Sequence, residues 1–135
     1  MANTLVIGSD EGVLEGLAQA LHAAGHRALI ARTLEDAASL LAVERPVVVI
    51  VERGCASDAE FLRFRLPPGS ALLVYRDADA ETPPLPSLIQ RATLADLVLP
   101  WERQRLITLV QRVAERAQAA GRGRDDDTPT ENRVV

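Results

Sequence analysis

The hydrophobic residues of this chain fall into short continuous runs separated by helical stripes. The most continuous run is Val47 to Val51, preceded by Pro46 and closed by Glu52. An unbroken run of β-branched residues predicts a strand that is buried on both faces. Such a strand lies at the centre of a sheet covered by helices, and Glu52 then emerges at its carboxyl end, where open α/β sheets keep their sites.

Four further apolar runs predict the other strands, and the stripes between them predict helices. The predicted strands cover residues 4–7, 26–31, 46–52, 71–76 and 95–99. The predicted helices cover residues 11–24, 34–44, 58–65, 85–92 and 101–120. Strand and helix alternate five times with short connections, which predicts a parallel sheet with right-handed crossovers and helices on both faces.

The chain has the length and composition of one domain followed by a tail. Its 135 residues are 47% hydrophobic and 25% charged, an ordinary globular balance with enough apolar residues for a core. Residues 1–120 carry the strand and helix pattern. Residues 121–135 are polar and include the run Asp125 to Asp127, and we predict that they form a disordered tail.

The charge pattern argues against several classes of partner. The net charge is −4, all fifteen cationic side chains are arginine, and no basic patch of the kind that binds nucleic acid is present in the sequence. No charged and then apolar leader opens the chain, and no apolar run approaches 18 residues. A single cysteine suits a reducing compartment. We therefore expect a cytoplasmic protein with neither a nucleic acid nor a membrane as its partner.

Three motifs in these runs resemble the receiver domain of two-component response regulators. They are the first apolar strand with its following turn (residues 5–10), the Pro46-led strand that ends in Glu52, and the strand that runs into Leu99, Pro100 and Trp101. The resemblance covers about residues 3–120. It implies a flavodoxin-like (βα)5 fold, a doubly wound five-stranded parallel sheet with helices on both faces and the strand order 2-1-3-4-5.

The resemblance also implies a magnesium site, whose two acidic ligands are replaced in this sequence. Receivers hold Mg²⁺ with two adjacent acids after the first strand, and here those positions are Gly8 and Ser9, with Asp10 beside them. Because Mg²⁺ requires hard oxygen ligands in tight geometry, losing both carboxylates predicts that no metal is bound. The phosphoacceptor position is Glu52, whose side chain is one methylene too long.

The groups that would handle a phosphoryl group are replaced as well. We assign Arg76 to the position of the Thr or Ser that ends the fourth strand, Leu99 to that of the neutralising Lys, and Asp96 to that of the aromatic switch residue. Phosphoryl transfer depends on positioning and charge neutralisation. We therefore expect no catalytic residues, no cofactor and no enzymatic activity.

Glu52 has two interpretations at this stage. It is either a mimic of the phosphorylated acceptor or one half of a structural ion pair with Arg76, since the ends of adjacent parallel strands lie roughly 5 Å apart. We favour the ion pair. Cys55 is close enough in sequence to reach the same pocket but is more simply an inert thiol, and we interpret His22 and His26 as surface histidines.

The fifth predicted helix has an unusually wide apolar face. Its apolar residues span an arc of roughly 160°, against the roughly 100° that a docked helix needs. Either a small core needs this width, or the surplus edge meets a partner, and in receivers the face of the fourth helix, fifth strand and fifth helix is the usual dimer surface. The candidate interface residues are Trp101, Leu106, Leu109, Val110 and Val113.

Three functional hypotheses follow from these residues. The leading one is a degenerate receiver-like module that binds a protein partner, either a signalling protein or a histidine kinase-like protein, without phosphorylation, and forms a homodimer. The second is a working phosphoacceptor in a phosphorelay. The third is a small-ligand sensor that uses the pocket around Gly8, Ser9, Glu52 and Arg76.

Overall fold

The computed structural model describes residues 2–55, 66–79 and 84–132. The strands are β1 (Asn3–Ile7), β2 (Arg27–Ala31), β3 (Val48–Glu52), β4 (Ala71–Asp77) and β5 (Thr93–Leu99). The helices are α1 (Glu11–Ala23), α2 (Leu34–Glu44), α3 (Ser87–Ala92) and α4 (Arg103–Asn132), with a 3₁₀ turn at Arg53–Cys55. The predicted helix 58–65 lies outside the described residues, so the fourth and fifth predicted helices are here α3 and α4.

The five strands form one parallel sheet in the order β2-β1-β3-β4-β5. The predicted fold class and strand order are thereby confirmed. Strand β3 lies at the centre, and its residues Val48 to Val51 are at most 2% exposed. The β-branched run is therefore buried on both faces, as its lack of a polar face predicts.

Alternate residues of each strand enter two separate cores. One core lies under α2 and α3 and contains Ile7, Val51 and Val74 among its buried residues. The other lies under α1 and α4 and contains Ile50 and Tyr75. Because side chains alternate along a strand, Glu52 projects to the same side as Ile50, toward α1 and α4.

Polar side chains fix the starts of the first two helices. The carboxylate of Asp10 accepts hydrogen bonds from the backbone N–H groups of Gly12 (2.9 Å) and Val13 (3.2 Å) and caps α1. The hydroxyl of Thr33 accepts from the backbone N–H of Asp36 at 3.1 Å and caps α2, at the predicted start. Each cap satisfies donors that the first helical turn leaves unpaired.

Helix α4 differs from its prediction at both ends. It begins at Arg103 rather than Trp101, and its backbone stays helical to Asn132 instead of ending near Ala120. Extending an existing helix is far easier than nucleating one, and the alanines that precede residue 121 favour continuation. Residues 133–135 lie outside the described ones, and the division into a domain of residues 1–120 and a tail of residues 121–135 stays a prediction.

The prediction that His26 lies at the surface is wrong. Its residue is 3% exposed, and its Nδ1 atom accepts a hydrogen bond from the backbone N–H of Ala2 at 3.3 Å. Burial lowers the pKa of His26, because the charged imidazolium loses its solvation there. His22, on α1, is exposed as predicted.

No helix within the described residues is long and apolar enough to cross a membrane.

Candidate functional site at the carboxyl ends of the strands

The carboxylate of Glu52 is held by the turn after β1. Its Oε1 atom accepts hydrogen bonds from the hydroxyl of Ser9 at 2.8 Å and from the backbone N–H of Ser9 at 3.2 Å. The thiol of Cys55 donates to the same oxygen at 3.4 Å. Ser9 and Glu52 are 43 residues apart in sequence and meet because β1 and β3 are neighbours in the sheet. The prediction that Gly8, Ser9 and Glu52 lie together is correct.

Tyr75 fills the space beside Gly8. It is the cross-strand partner of Glu52 in the pairing of β3 with β4, and it is only 2% exposed. A Cβ atom added at Gly8 would overlap the Tyr75 hydroxyl and would also lie 3.2 Å from a methyl group of Leu14. The tyrosine therefore occupies the volume into which any longer side chain at position 8 would project.

The hydroxyl of Tyr75 is buried without a hydrogen-bond partner among the described residues. Burial raises the pKa of Tyr75 well above its usual range, and the nearby charges of Glu52, Cys55 and Asp10 raise it further. The phenol therefore stays protonated at physiological pH. A buried hydroxyl without a partner costs free energy, so its position calls for a structural explanation.

A cavity of about 280 Å³ opens beside this tyrosine. Three carboxylates line it, those of Asp10, Glu52 and Asp77, together with the guanidinium-bearing residue Arg103. Apolar and small residues complete the wall: Gly12, Val13, Gly16, Leu17, Leu99 and Pro100. Leu99 itself is 6% exposed and packs in the α1–α4 core, so this part of the wall is apolar.

The predicted ion pair between Glu52 and Arg76 is wrong. The ion pairs of the described residues do not include it, and the register pairs Glu52 with Tyr75 and Arg76 with Val98. Because neighbouring residues of a strand point to opposite faces, Arg76 leaves the sheet on the side away from Tyr75. Its positive charge contributes to lowering the pKa of Glu102, after the larger effects of the Val98 N–H and of Arg105.

A different arginine forms an ion pair across the carboxyl end of the sheet. The guanidinium of Arg53 contacts the carboxylate of Asp96 on β5. The side chains are 16% and 36% exposed, respectively, so the pair is partly shielded from water. Its partners follow β3 and lie within β5, so the arginine side chain crosses over the end of the intervening strand β4. Asp96, at the position of the aromatic switch residue, is thereby held by an ion pair.

The candidate interface residues divide into three groups by burial. Leu106 and Val110 are fully buried in the α1–α4 core, so the prediction that they face a partner is wrong. Leu109 and Val113 are half-buried and pack against the same core. Trp101 is 78% exposed, just before α4. The wide apolar face of this helix is thus used largely for the domain's own core.

Several solved structures of other proteins have a similar fold. The chain resembles a response regulator receiver domain protein from Clostridium thermocellum at 17% identity, with a TM-score of 0.69 and coverage of 89% of this chain and 99% of that one. It resembles the N-terminal domain of a response regulator/sensory box/GGDEF 3-domain protein from Carboxydothermus hydrogenoformans at 18% identity, with a TM-score of 0.69 and coverage of 87% and 98%. The chain has the receiver-domain fold.

A longer protein also contains this fold. The NtrX protein from Brucella abortus, solved in complex with ADP, matches at 18% identity with a TM-score of 0.74. The match covers 96% of this chain but 30% of NtrX, so this chain spans less than a third of that protein. No protein-family model and no curated protein matches the chain.

The strand-end carboxylates take part in hydrogen bonds within the protein. Within the described residues, no group of three or more His, Cys, Asp or Glu side chains is placed to bind a metal ion. The Oδ1 atom of Asp10 serves the start of α1, and the Oε1 atom of Glu52 serves Ser9. One oxygen of each of these two carboxylates is therefore engaged in a hydrogen bond that stabilises the fold.

Sequence reasoning missed Tyr75, Asp77 and Arg103. Tyr75 is the chain's single tyrosine and ends an otherwise apolar run, which is a signal for a strand-end side chain with a polar tip. The sequence analysis assigns the strand-end position to Arg76, but the pairing of β3 with β4 shows that it belongs to Tyr75, one residue earlier. Asp77 and Arg103 come from the end of β4 and the start of α4, and no local pattern links them.

Proposed function

We propose that this chain is a receiver-like signalling module that acts through protein contacts and without phosphorylation. The observation that carries the proposal is the position of the Tyr75 hydroxyl, which occupies the space that a side chain at Gly8 would need. In the receivers that this chain resembles, the residue at that position is a metal-binding acid. The tyrosine and the metal-binding acid are mutually exclusive in this geometry.

The remaining replacements support the same conclusion. Glu52 has its carboxylate turned to Ser9, and Leu99 gives an apolar wall where the resemblance implies a neutralising lysine. Phosphoryl transfer needs a metal, a positioned acceptor and compensation of developing charge. Because the chain has replaced the residues that supply each of these, we propose that it has no catalytic activity of its own and resides in the cytoplasm as a binding module.

The partner that we propose is another signalling protein. The similar domain from Carboxydothermus hydrogenoformans is the N-terminal domain of a response regulator/sensory box/GGDEF 3-domain protein. The surface of the described residues carries isolated large apolar side chains. Contact with a protein, such as a histidine kinase-like protein or a second copy, is the role that fits these features.

The surface that we propose for a homodimer surrounds strand β5. This strand lies at the edge of the sheet, and three exposed apolar residues lie on it or on its neighbours: Leu88 on α3, Leu94 on β5 and Trp101 before α4, at 38%, 53% and 78% exposure. Aromatic and aliphatic side chains of this kind are enriched at the centres of protein interfaces. We name this the β5 edge surface.

The test is an amide NMR titration of the protein with Mg²⁺ and then with beryllofluoride, a mimic of the phosphoryl group. We expect no saturable shifts at Ser9, Asp10, Glu52 or Leu99, because the groups that would bind these ions are replaced or engaged. Saturable shifts at these residues that spread to α4 would show a working phosphorylation switch and would overturn the proposal.

A variant with restored side chains provides the positive control for that titration. It combines the substitutions Gly8→Asp, Ser9→Asp and Glu52→Asp with Tyr75→Thr and Leu99→Lys, and its amide spectrum shows whether it folds. Because Tyr75→Thr removes the overlapping hydroxyl, this variant should bind Mg²⁺ saturably. The contrast with the natural chain then assigns the lost binding to these side chains.

A further inference from the structure

A groove lies at the amino ends of β3 and β4, at the opposite end of the sheet from Glu52 and Tyr75. Its volume is about 520 Å³. The lining comes from the end of α2, the segments that precede β3 and β4, and one face of α4. Most of it is apolar and includes Pro46, Val47, Pro67, Pro68, Val113 and Ala117. We name this surface the Arg45 groove, after a further residue of its lining.

Hydrogen bonds hold the walls of the Arg45 groove together. The hydroxyl of Ser70 donates to the carbonyl of Pro46 at 2.6 Å, which ties the segment before β4 to the segment before β3. The backbone N–H of Ser70 donates to the carbonyl of Pro67 at 3.0 Å and closes the turn between them. The proline rings restrict the backbone further. A surface that is formed in advance loses little conformational freedom on binding, which favours affinity.

Two arginines supply the only charges that line the groove in the described part of the chain. Arg45 follows the last residue of α2, Arg116 lies on α4, and both are exposed. Neither takes part in the ion pairs of the described residues. The chain as a whole has a net charge of −4, so the groove differs in sign from the molecule's average. Its charge is complementary to that of an anionic partner.

The backbone at Arg45 is unusual for a residue with a side chain. Its φ angle is +46°, in the left-handed region, and helices that end in this conformation usually carry glycine or asparagine there. A glycine would adopt this angle at a lower conformational cost. The stability of the helix end therefore does not account for an arginine at this position, whereas a role for its guanidinium in the groove does.

The apolar surface continues beyond the two prolines. A second cleft, of about 560 Å³, shares Arg45, Pro67 and Pro68 with the groove. The rest of its described lining is apolar: Ala38, Leu41, Ala42 and Leu66. An elongated surface of this kind fits an extended peptide better than a small anion, because a chain can place side chains in both clefts. Nucleic acid is a poorer match, since its binding depends on many phosphate contacts and the groove offers two cations.

We propose that the Arg45 groove binds an acidic, partly apolar peptide segment of a partner protein. The carboxylates of this segment would pair with Arg45 and Arg116, since a guanidinium can donate two parallel hydrogen bonds to a carboxylate. Its apolar side chains would pack on Val47, Val113 and Pro67. The proposal rests on the protein-binding role proposed above and names the chemistry of a partner. It uses neither the strand-end site nor the β5 edge surface.

Fluorescence anisotropy with a labelled peptide that alternates glutamate with leucine tests the groove on the full chain. Matched peptides carry glutamine or lysine in place of glutamate. We expect saturable binding of the glutamate peptide, weaker binding of the glutamine peptide and no binding of the lysine peptide. Raising the salt from about 0.1 M to about 1 M should weaken the glutamate peptide, because exposed charges are then screened. No saturable binding of the glutamate peptide, or equal binding of the lysine peptide, would overturn the inference.

Variants assign the binding to the two arginines. Arg45→Gln and Arg116→Gln should each raise the dissociation constant of the glutamate peptide about three- to tenfold, through loss of one charge-assisted contact. Arg91→Gln removes the same charge from an exposed position on α3, outside the groove, and should leave the constant unchanged. An equal effect of all three variants would show a nonspecific attraction between the peptide and cationic surface and would overturn the inference.

Arg45→Gly separates recognition from structure. Because glycine suits the positive φ angle, the melting temperature should stay the same or rise. The dissociation constant of the glutamate peptide should nevertheless rise as it does in Arg45→Gln. Arg45→Lys keeps the charge and should bind the peptide more tightly than Arg45→Gly. An unchanged peptide affinity in Arg45→Gly would show that this side chain takes no part in recognition and would overturn the inference.

The same assay distinguishes two other occupants. A single-stranded DNA oligonucleotide that bound more tightly than the glutamate peptide would assign the groove to nucleic acid. The triple variant Asp125→Asn, Asp126→Asn and Asp127→Asn removes the chain's own acidic run. Tighter binding of the peptide by this variant than by the natural chain would assign the groove to that run. Either result would overturn the assignment of the groove to a partner protein.

The outcome is separable from that of the proposed function. Saturable Mg²⁺ and beryllofluoride shifts at the carboxyl ends of the strands would overturn the phosphorylation-independent role, whatever the peptide does. A glutamate peptide that does not bind would overturn the Arg45 groove alone, because the groove lies at the other end of the sheet.

Discussion

Gly8 and Tyr75 are the pair of residues that decides what the strand-end site can do. An added Cβ at Gly8 would overlap the Tyr75 hydroxyl, whereas one added at Gly16 meets nothing within 4 Å. The glycine is therefore required by a close approach and not by an unusual backbone conformation. This contact explains in steric terms why no acid is found at position 8.

A double-mutant cycle tests the contact between these two residues. Gly8→Ala should lower the free energy of unfolding by about 1–3 kcal/mol, the usual cost of overpacking a dense interior. In the Tyr75→Phe background the cost should fall by at least about 1 kcal/mol, because the overlapping oxygen is gone. Urea denaturation of the four proteins measures both values.

Gly16→Ala is the matched control for that cycle. An alanine in the open middle of α1 should be neutral or should stabilise the protein by about 0.5–1 kcal/mol, since glycine is a poor helix former. The same cost of Gly8→Ala in both backgrounds would contradict the proposed contact.

His26 gives the protein a pH-dependent stability. Its Nδ1 atom accepts a hydrogen bond from the backbone N–H of Ala2, so protonation there would break this bond and place a charge in a buried position. The pKa of His26 is lowered in the folded state by burial, so the unfolded state binds the proton more readily. Its contribution to stability is therefore full above the unfolded pKa of about 6.5 and is lost as the pH falls from there toward the lowered folded value.

The free energy of unfolding measured between pH 8 and pH 5 tests this sign. We expect it to decrease below about pH 6.5 by at most about 1.4 kcal/mol per pH unit, the limit for one proton. The His26→Gln variant should show a smaller decrease, and His22→Gln, at an exposed position, should follow the natural chain. Identical pH profiles for the natural chain and His26→Gln would exclude this histidine as the cause.

At the scale of elements, the turn that follows β3 is linked to β5 by the Arg53–Asp96 ion pair. The strands stand two positions apart in the sheet, a distance of about 9–10 Å that only a long side chain can span. The pair is partly shielded from water, so its attraction is screened less than that of a surface pair and contributes more to the stability of the fold. The connection holds the turn after β3 against the edge strand.

Removing either partner should destabilise the protein. We expect Arg53→Gln and Asp96→Asn each to lower the free energy of unfolding by about 1–2 kcal/mol, between the values for exposed and buried pairs. The double variant should lose clearly less than the sum, because the two changes remove one shared interaction. Urea denaturation of the natural chain and the three variants gives these values.

Arg76→Gln is the control for the ion pair. Arg76 follows Tyr75 on β4 and forms none of the ion pairs of the described residues, so the change should cost less than about 0.5 kcal/mol. If Arg76→Gln lowered the free energy of unfolding more than Arg53→Gln does, that result would support the ion pair with Glu52 that the sequence predicts.

At the scale of the whole molecule, the β5 edge surface is where assembly is decided. Trp101 is the most exposed of its three apolar residues, at 78%. If the chain forms a homodimer through this surface, Trp101→Ala should raise the dimer dissociation constant at least about tenfold, as removal of a central aromatic does. Sedimentation equilibrium over a range of protein concentrations measures this constant.

A second exposed residue serves as the control for assembly. Val43 is 76% exposed on α2. This helix packs against β1 and β2, the two strands farthest from β5 in the sheet. Val43→Ala should leave the dissociation constant unchanged. A natural chain that stays monomeric at all concentrations would contradict the homodimer, and an equal effect of both variants would contradict the placement of its surface.

The sequence alone determined the sheet and most of its helices. The run from Val47 to Val51 has no polar face, which requires burial on both sides, and the five alternations of strand and helix require parallel crossovers. These signals are local, since they depend on periodicity within one segment. The start of α2, capped by Thr33, was predicted correctly for the same reason.

Only the tertiary structure decided which side chains meet at the strand ends. A shift of one residue in register turns a side chain to the other face of the sheet, so the sequence could not tell Tyr75 from Arg76 as the neighbour of Glu52. The pairing of Arg53 with Asp96 joins residues 43 positions apart, across a strand that neither of them belongs to. Such contacts depend on the arrangement of several strands at once, and no single segment of the sequence encodes them.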